Sequence, residues 1–73
     1  SVETVALMAL RAIEREARAA TGRQIACTIA PEVKAWLDGA EIDWRGALNS
    51  RIGMRWTLEA APGAREKVDA RAL

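Results

Sequence analysis

Polar and apolar positions follow two different periods along this chain. Over Ser1–Gly22 the period is helical. Val2, Ala6, Ala9, Leu10, Ile13, Ala17 and Ala20 form one apolar stripe, and Arg11, Glu14, Arg15 and Arg18 lie on the far side. Ser1 stands at the N-cap position, and Glu3 where the positive end of the helix dipole favours a carboxylate. Gly22 stands where a helix stops through a residue free to take positive φ. Leu7 and Met8 fall off the stripe, on either side of the polar face. With Val5 they leave the first third of this helix apolar nearly all round, a surplus that predicts a partner at Val5, Leu7 and Met8.

After Gly22 the period shortens to two. In Arg23–Ala30, Ile25, Cys27 and Ile29 point one way while Gln24, Ala26 and Thr28 point the other, which predicts a strand. Pro31 suits the first position of a second helix, on which Val33, Trp36 and Leu37 make an apolar patch, and Asp38-Gly39 ends it. Glu41 and Asp43 supply negative charge for the first turn of a third, short helix. Trp44, Ala47 and Leu48 give that helix an apolar side, Gly46 weakens it, and Gly53 closes it. Alternation returns in Met54–Glu59, with Met54, Trp56 and Leu58 inward and Arg55, Thr57 and Glu59 outward. Ala61-Pro62-Gly63 reads as a loop, and Glu66–Leu73 as a last strand with Val68, Ala70 and Ala72 on one face. An antiparallel hairpin of the last two strands, with Leu58 opposite Val68, Trp56 opposite Ala70, Glu59 opposite Lys67 and Thr57 opposite Asp69, sets bulky residues against small ones.

The element order is therefore α-β-α-α-β-β. It predicts a two-layer α+β sandwich: a three-stranded sheet with helices on one face, the first helix covering the whole sheet. At 73 residues the chain is one domain with a small core, to which three tryptophans contribute. The formal net charge of +1 predicts no field-driven attraction to nucleic acid or to an anionic membrane. A single cysteine rules out an intrachain disulfide and fits a reducing compartment. No apolar run has the length of a membrane span, so no membrane partner is expected.

Chemistry is sparse. The chain has no histidine, and so lacks the usual general base and the commonest metal ligand. Cys27, mid-strand on the apolar face, reads as core rather than as a reactive thiolate. Glu41 and Asp43 fit the start of a helix; a divalent cation held through water is the alternative. Glu14 pairs with Arg18 at i, i+4. Arg11, Arg15, Arg18 and Arg23 gather as a candidate RNA contact, but no aromatic residue alternates with them to stack bases, and a solvated helix face with Glu14 interleaved is the favoured reading. No Gly-rich phosphate loop occurs, so no catalytic, cofactor or metal residue is assigned.

The strand–helix–helix–strand unit over residues 23–58 has a KH-like outline. KH modules clamp single-stranded RNA with a GxxG loop between the helices, and this junction, Asp38-Gly39-Ala40-Glu41-Ile42, has one glycine and two carboxylates instead. Taken in order, several motifs resemble the small C-terminal domain of the bacterial ribonuclease E/G family. Glu3-Thr4 opens a long helix that carries Arg15-Glu16-Ala17. A strand begins near Arg23, followed by Pro31-Glu32-Val33 through Leu37. Arg51-Ile52-Gly53 leads into a strand ending at Leu58-Glu59, and Val68-Asp69 lies in the closing strand. The resemblance spans essentially the whole chain.

The resemblance implies a piece of a larger bacterial, cytoplasmic endoribonuclease involved in RNA processing and decay. It implies Mg²⁺-dependent hydrolysis in an earlier domain and Zn²⁺ at a Cys-rich link before the small domain. No residue here matches either motif, so the chain carries no catalytic or metal residue over. The expected role is non-catalytic packing: oligomerisation with other subunits of the same protein, or docking on its catalytic domains, with RNA met through the parent. The alternative is an accessory RNA-contact module using the arginine face of the first helix.

Overall fold

The first helix, α1 (Val2–Ala19), starts where its side chains can cap it. The Ser1 hydroxyl accepts the Thr4 N–H at 3.2 Å, and Glu3 sits in the first turn. The computed structural model describes all 73 residues, Ser1–Leu73. The chain continues through strand β1 (Ile25–Ile29), helix α2 (Pro31–Asp38), helix α3 (Trp44–Ile52), strand β2 (Trp56–Ala60) and strand β3 (Val68–Ala72). This is the α+β sandwich that the period changes imply, with three helices and a mixed three-stranded sheet.

Strand β1 is central. It runs parallel to β2 on one side and antiparallel to β3 on the other. The expected β2–β3 hairpin is therefore corrected: Leu58 and Ala70 both flank Cys27, while Trp56 and Ala72 both flank Ile25. Burial explains the order. Ile25, Cys27 and Ile29 are buried and even Ala26 and Thr28 are half-buried, so the most apolar strand takes the middle, where both backbone edges find partners. Thr57, Glu59 and Ala60 of β2 are exposed, as suits an edge. The connection Ala61–Lys67 is long enough to pass over β1 to the far edge, two strand spacings or roughly 10 Å away.

One face of the sheet carries the rows Trp56–Ile25–Ala72, Leu58–Cys27–Ala70 and Ala60–Ile29–Val68. The helices cover it. They share the labour: α1 lies on β1 and β3, α2 packs against α1 and β2, and α3 packs on α1. The long helix thus covers part of the sheet rather than all of it. The core runs through Ile13, Ile25, Cys27, Ile29, Val33 and Leu37, all fully buried, with Ala6, Ala9 and Ala17 letting α1 approach closely. The opposite face, with Thr57, Ala26 and Arg71 in one row and Glu59, Thr28 and Asp69 in the next, is open.

Three side chains depart from the expected alternation. Val5 is 6 % exposed and belongs to the core, because the buried arc of α1 extends to Val5 and Ala12. Met54 is 84 % exposed, since β2 starts only at Trp56 and Met54 lies in the turn after α3. Arg55, expected to face outward, is half-buried. Its guanidinium donates to the carbonyls of Ala17 (2.7 Å), Arg23 (2.9 Å), Ile52 (3.0 Å) and Ala20 (3.1 Å). The C-terminal ends of α1 and α3 leave carbonyls without intrahelical partners, and one planar cation collects both sets.

Candidate functional site

Helix α3 is started by its own cap and tied to α2 and the sheet by its aromatic residue. Asp43 Oδ1 accepts the Gly46 N–H at 2.9 Å, so the Glu41/Asp43 junction acts as a helix start, with Asp43 as the cap just outside the helix. The buried Trp44 indole donates to the Leu37 carbonyl at 2.9 Å, tying α3 to the end of α2. Its ring lies 5.8 Å from that of Trp56, whose indole donates to Asn49 Oδ1 at 2.7 Å. Arg45 stacks over Trp44 at 4.4 Å and reaches Asp38 at 3.1 Å. Hydrogen bonds from Lys34, with Arg45 adding to them, hold the Asp38 carboxyl below its usual value.

With α3 so held, its outer side and the outer side of α1 enclose two adjoining concavities. The first, of about 330 Å³, lies between the N-terminal half of α1 and the start of α3. Leu7, Leu10, Ile42 and Ala47 make its apolar wall. Leu7 is half-buried there and Ile42 on the rim is 62 % exposed, while Met8, across the polar face of α1, is 52 % exposed. Of the three residues expected to meet a partner, Leu7 and Met8 are therefore at the surface and Val5 is not.

The second concavity, of about 360 Å³, continues along the helix and is lined only by Arg11, Glu14, Arg15, Arg18 and Arg51. Glu14 is the single acid. It pairs with Arg18 at 2.7 Å, the i, i+4 pair expected from sequence, and with Arg51 of α3 at 3.2 Å. Arg11 and Arg15 make no ion pair. The expected arginine group is thus brought together except for Arg23, which lies past the end of α1 and donates to the Leu73 carbonyl at 2.7 Å. Arg51 takes its place. Its signal was present in sequence, because Ala47 and Arg51 are four apart and share the side of α3 next to the Trp44/Leu48 stripe. Ile42 carried no such signal, since it lies in the irregular link between two helices.

Cys27 is buried on the covered sheet face. Burial, with the Asp69 carboxylate adding to it, pushes its thiol up to about 11, so it stays protonated at neutral pH. No group of three or more Cys, Asp or Glu side chains converges into a metal-binding arrangement. No helix is long and apolar enough to cross a membrane. No family model, curated protein or solved structure matches the chain.

Proposed function

We propose that this chain is a non-catalytic packing and oligomerisation domain of a ribonuclease E/G-type endoribonuclease, a cytoplasmic bacterial protein of RNA processing and decay. In this reading hydrolysis, its Mg²⁺ and any Zn²⁺ link belong to other parts of that protein. The observation that carries the packing role is the apolar surplus at the N-terminal end of α1, where Ile42 stands exposed on the rim of the hollow walled by Leu7, Leu10 and Ala47, and Met8 stands exposed on the other side of the polar face. The occupant of that surface is a second copy of the chain. The patch holds both projections and a hollow, as an isologous contact requires. Its charges are also self-complementary. With α1 antiparallel to its symmetry mate and Leu7 opposite Met8, Arg11 of each copy falls opposite Thr4 and next to Glu3 of the other. The same register carries the rest of each arginine group outward, away from its like-charged counterpart.

Sedimentation equilibrium tests this. The chain dimerises reversibly with rising concentration, and a Leu7→Glu, Met8→Lys variant stays monomeric while melting as a folded domain. A wild-type chain that remains monomeric at about 1 mM, where an association of only roughly −4 kcal/mol would be half complete, contradicts the reading.

A further inference from the structure

The arginine-lined hollow adjoins that self-association surface, sharing Arg11, Glu14 and Arg51 with the lining of the first hollow, and extends further along α1 through Arg15 and Arg18. Four arginines and one carboxylate give it a net charge of +3, in a chain whose total is +1. The overall balance therefore hides a concentrated cationic face. Arg11, Arg15 and Arg18 are spaced along α1 over about 10 Å, at 1.5 Å of rise per residue, and Arg51 reaches in from α3. Guanidinium groups in a row, forked for bidentate contact, suit phosphates in a row. No aromatic side chain lines the hollow, so base stacking has no platform there.

Glu14 sits in the middle of this group. Its carboxylate already occupies Arg18 and Arg51, through separate oxygens, at 2.7 and 3.2 Å. An incoming phosphate must compete with it for those two guanidiniums, while Arg15 is free from the outset and Arg11 is free in the unassociated chain. We infer that the Arg11–Arg15–Arg18–Arg51 hollow binds the phosphodiester backbone of a nucleic acid without reading its sequence, and that Glu14 acts as a built-in competitor that keeps the binding weak.

The test measures binding of the full chain to a fluorescent oligouridylate as salt is varied, with an oligothymidylate of equal length and polyglutamate as comparison probes. Three net charges at roughly 0.7 counterions each predict a slope of about −2 in log affinity against log salt. That is a loss of about 20-fold between about 50 and 200 mM. Arg15→Ala with Arg18→Ala, both at exposed positions, lowers the affinity and brings the slope toward about −1. Glu14→Gln does the reverse: it tightens binding roughly threefold to tenfold and steepens the slope toward about −3. Similar affinity for the two oligonucleotides marks a phosphate-only contact, and tighter binding of the uridylate adds a 2′-hydroxyl contact to the same site.

The inference is overturned if neither wild type nor Glu14→Gln binds either oligonucleotide at low salt. It is also overturned if polyglutamate binds as tightly as they do, or if Glu14→Gln weakens binding. Should Arg15→Ala with Arg18→Ala alter sedimentation while leaving oligonucleotide affinity unchanged, the hollow serves a protein contact and the inference likewise fails. Thermal melts of each variant verify folding, and the wild-type salt slope stands as a readout that needs no variant.

Discussion

Two side chains carry more of this fold than their neighbours. Arg55 joins the ends of α1 and α3 to the link before β1 through four carbonyls, and being half-buried it does so where water competes poorly. Replacing it with Met keeps the aliphatic stem and removes every donor, at an expected cost of about 2–4 kcal/mol, against roughly 4–11 kcal/mol of total stability for a chain this size. Arg55→Lys recovers less than half of that loss, because an ammonium cannot present the planar fork. Urea denaturation of the two variants checks both figures. A lysine variant as stable as wild type would show that charge alone suffices.

Cys27 is the second. Its thiol is held near 11 in the folded chain against 9.0 ordinarily, so the folded state keeps a proton that the unfolded state releases first. Stability is then full below about pH 9 and falls as pH rises toward 11, by up to about 3 kcal/mol, at roughly 1.4 kcal/mol per pH unit. Cys27→Ala flattens this part of the pH–stability curve, and equal slopes for wild type and variant would refute the assignment. The alternation of Ile25, Cys27 and Ile29 was enough to place this residue in the core. Nothing comparable announced Arg55, which reads as one more outward position on a strand because its partners are backbone groups from three other segments.

Among the elements, α3 depends most on a local device. Asp43 caps it, and a Cβ at Gly46 would stand 2.8 Å from Asp43 Cγ. Gly46 therefore weakens the helix by propensity and permits the cap by its size. Asp43→Ala is expected to cost about 1 kcal/mol. Gly46→Ala on the wild-type background is close to neutral, since its propensity gain of up to about 1 kcal/mol is offset by displacing the carboxylate. On the Asp43→Ala background the same substitution gains its full value. A double-mutant cycle by urea denaturation reads the difference as a coupling of about 1 kcal/mol, and additive effects would deny the link.

The elements themselves were legible from period and punctuation. Each lies within a residue or two of where Ser1, Pro31, Asp43, Gly53 and the Ala61–Gly63 loop put its ends. Strand order was not legible. A side-chain pattern of period two fits equally well opposite either neighbour, so Leu58 could be matched with Val68 across a hairpin when both in fact lie alongside β1. The burial of both faces of β1 was the better guide, because a strand that leaves little of itself to water needs a neighbour on each edge. The candidate site was legible in its α1 half, where Leu7, Met8, Arg11, Arg15 and Arg18 follow from one helical wheel. In its α3 half the helical spacing placed Arg51 on the side of α3 next to Trp44 and Leu48, but that this side meets α1, and that Ile42 joins it, depends on how two helices are set against each other, which no single-element pattern encodes.

The whole molecule is asymmetric along one face. The α1–α3 face is apolar at one end and cationic at the other, and different partners are proposed for the two ends. The self-association proposed for the apolar end makes a directional statement about exposed side chains. Met54 is 84 % exposed and Met8 only 52 %, so random collisions would oxidise a cysteine at position 54 into covalent dimers faster than one at position 8. The native Cys27 is buried and protonated and stays silent in such an experiment. The most direct test is therefore the rate of disulfide-linked dimer formation by Met8→Cys and Met54→Cys under mild oxidation. The account predicts that Met8→Cys cross-links faster despite its lower exposure, and that Glu substituted at Leu7 abolishes the difference. Faster cross-linking through position 54, or equal rates at the two positions, would contradict a partner copy seated on the apolar end of α1.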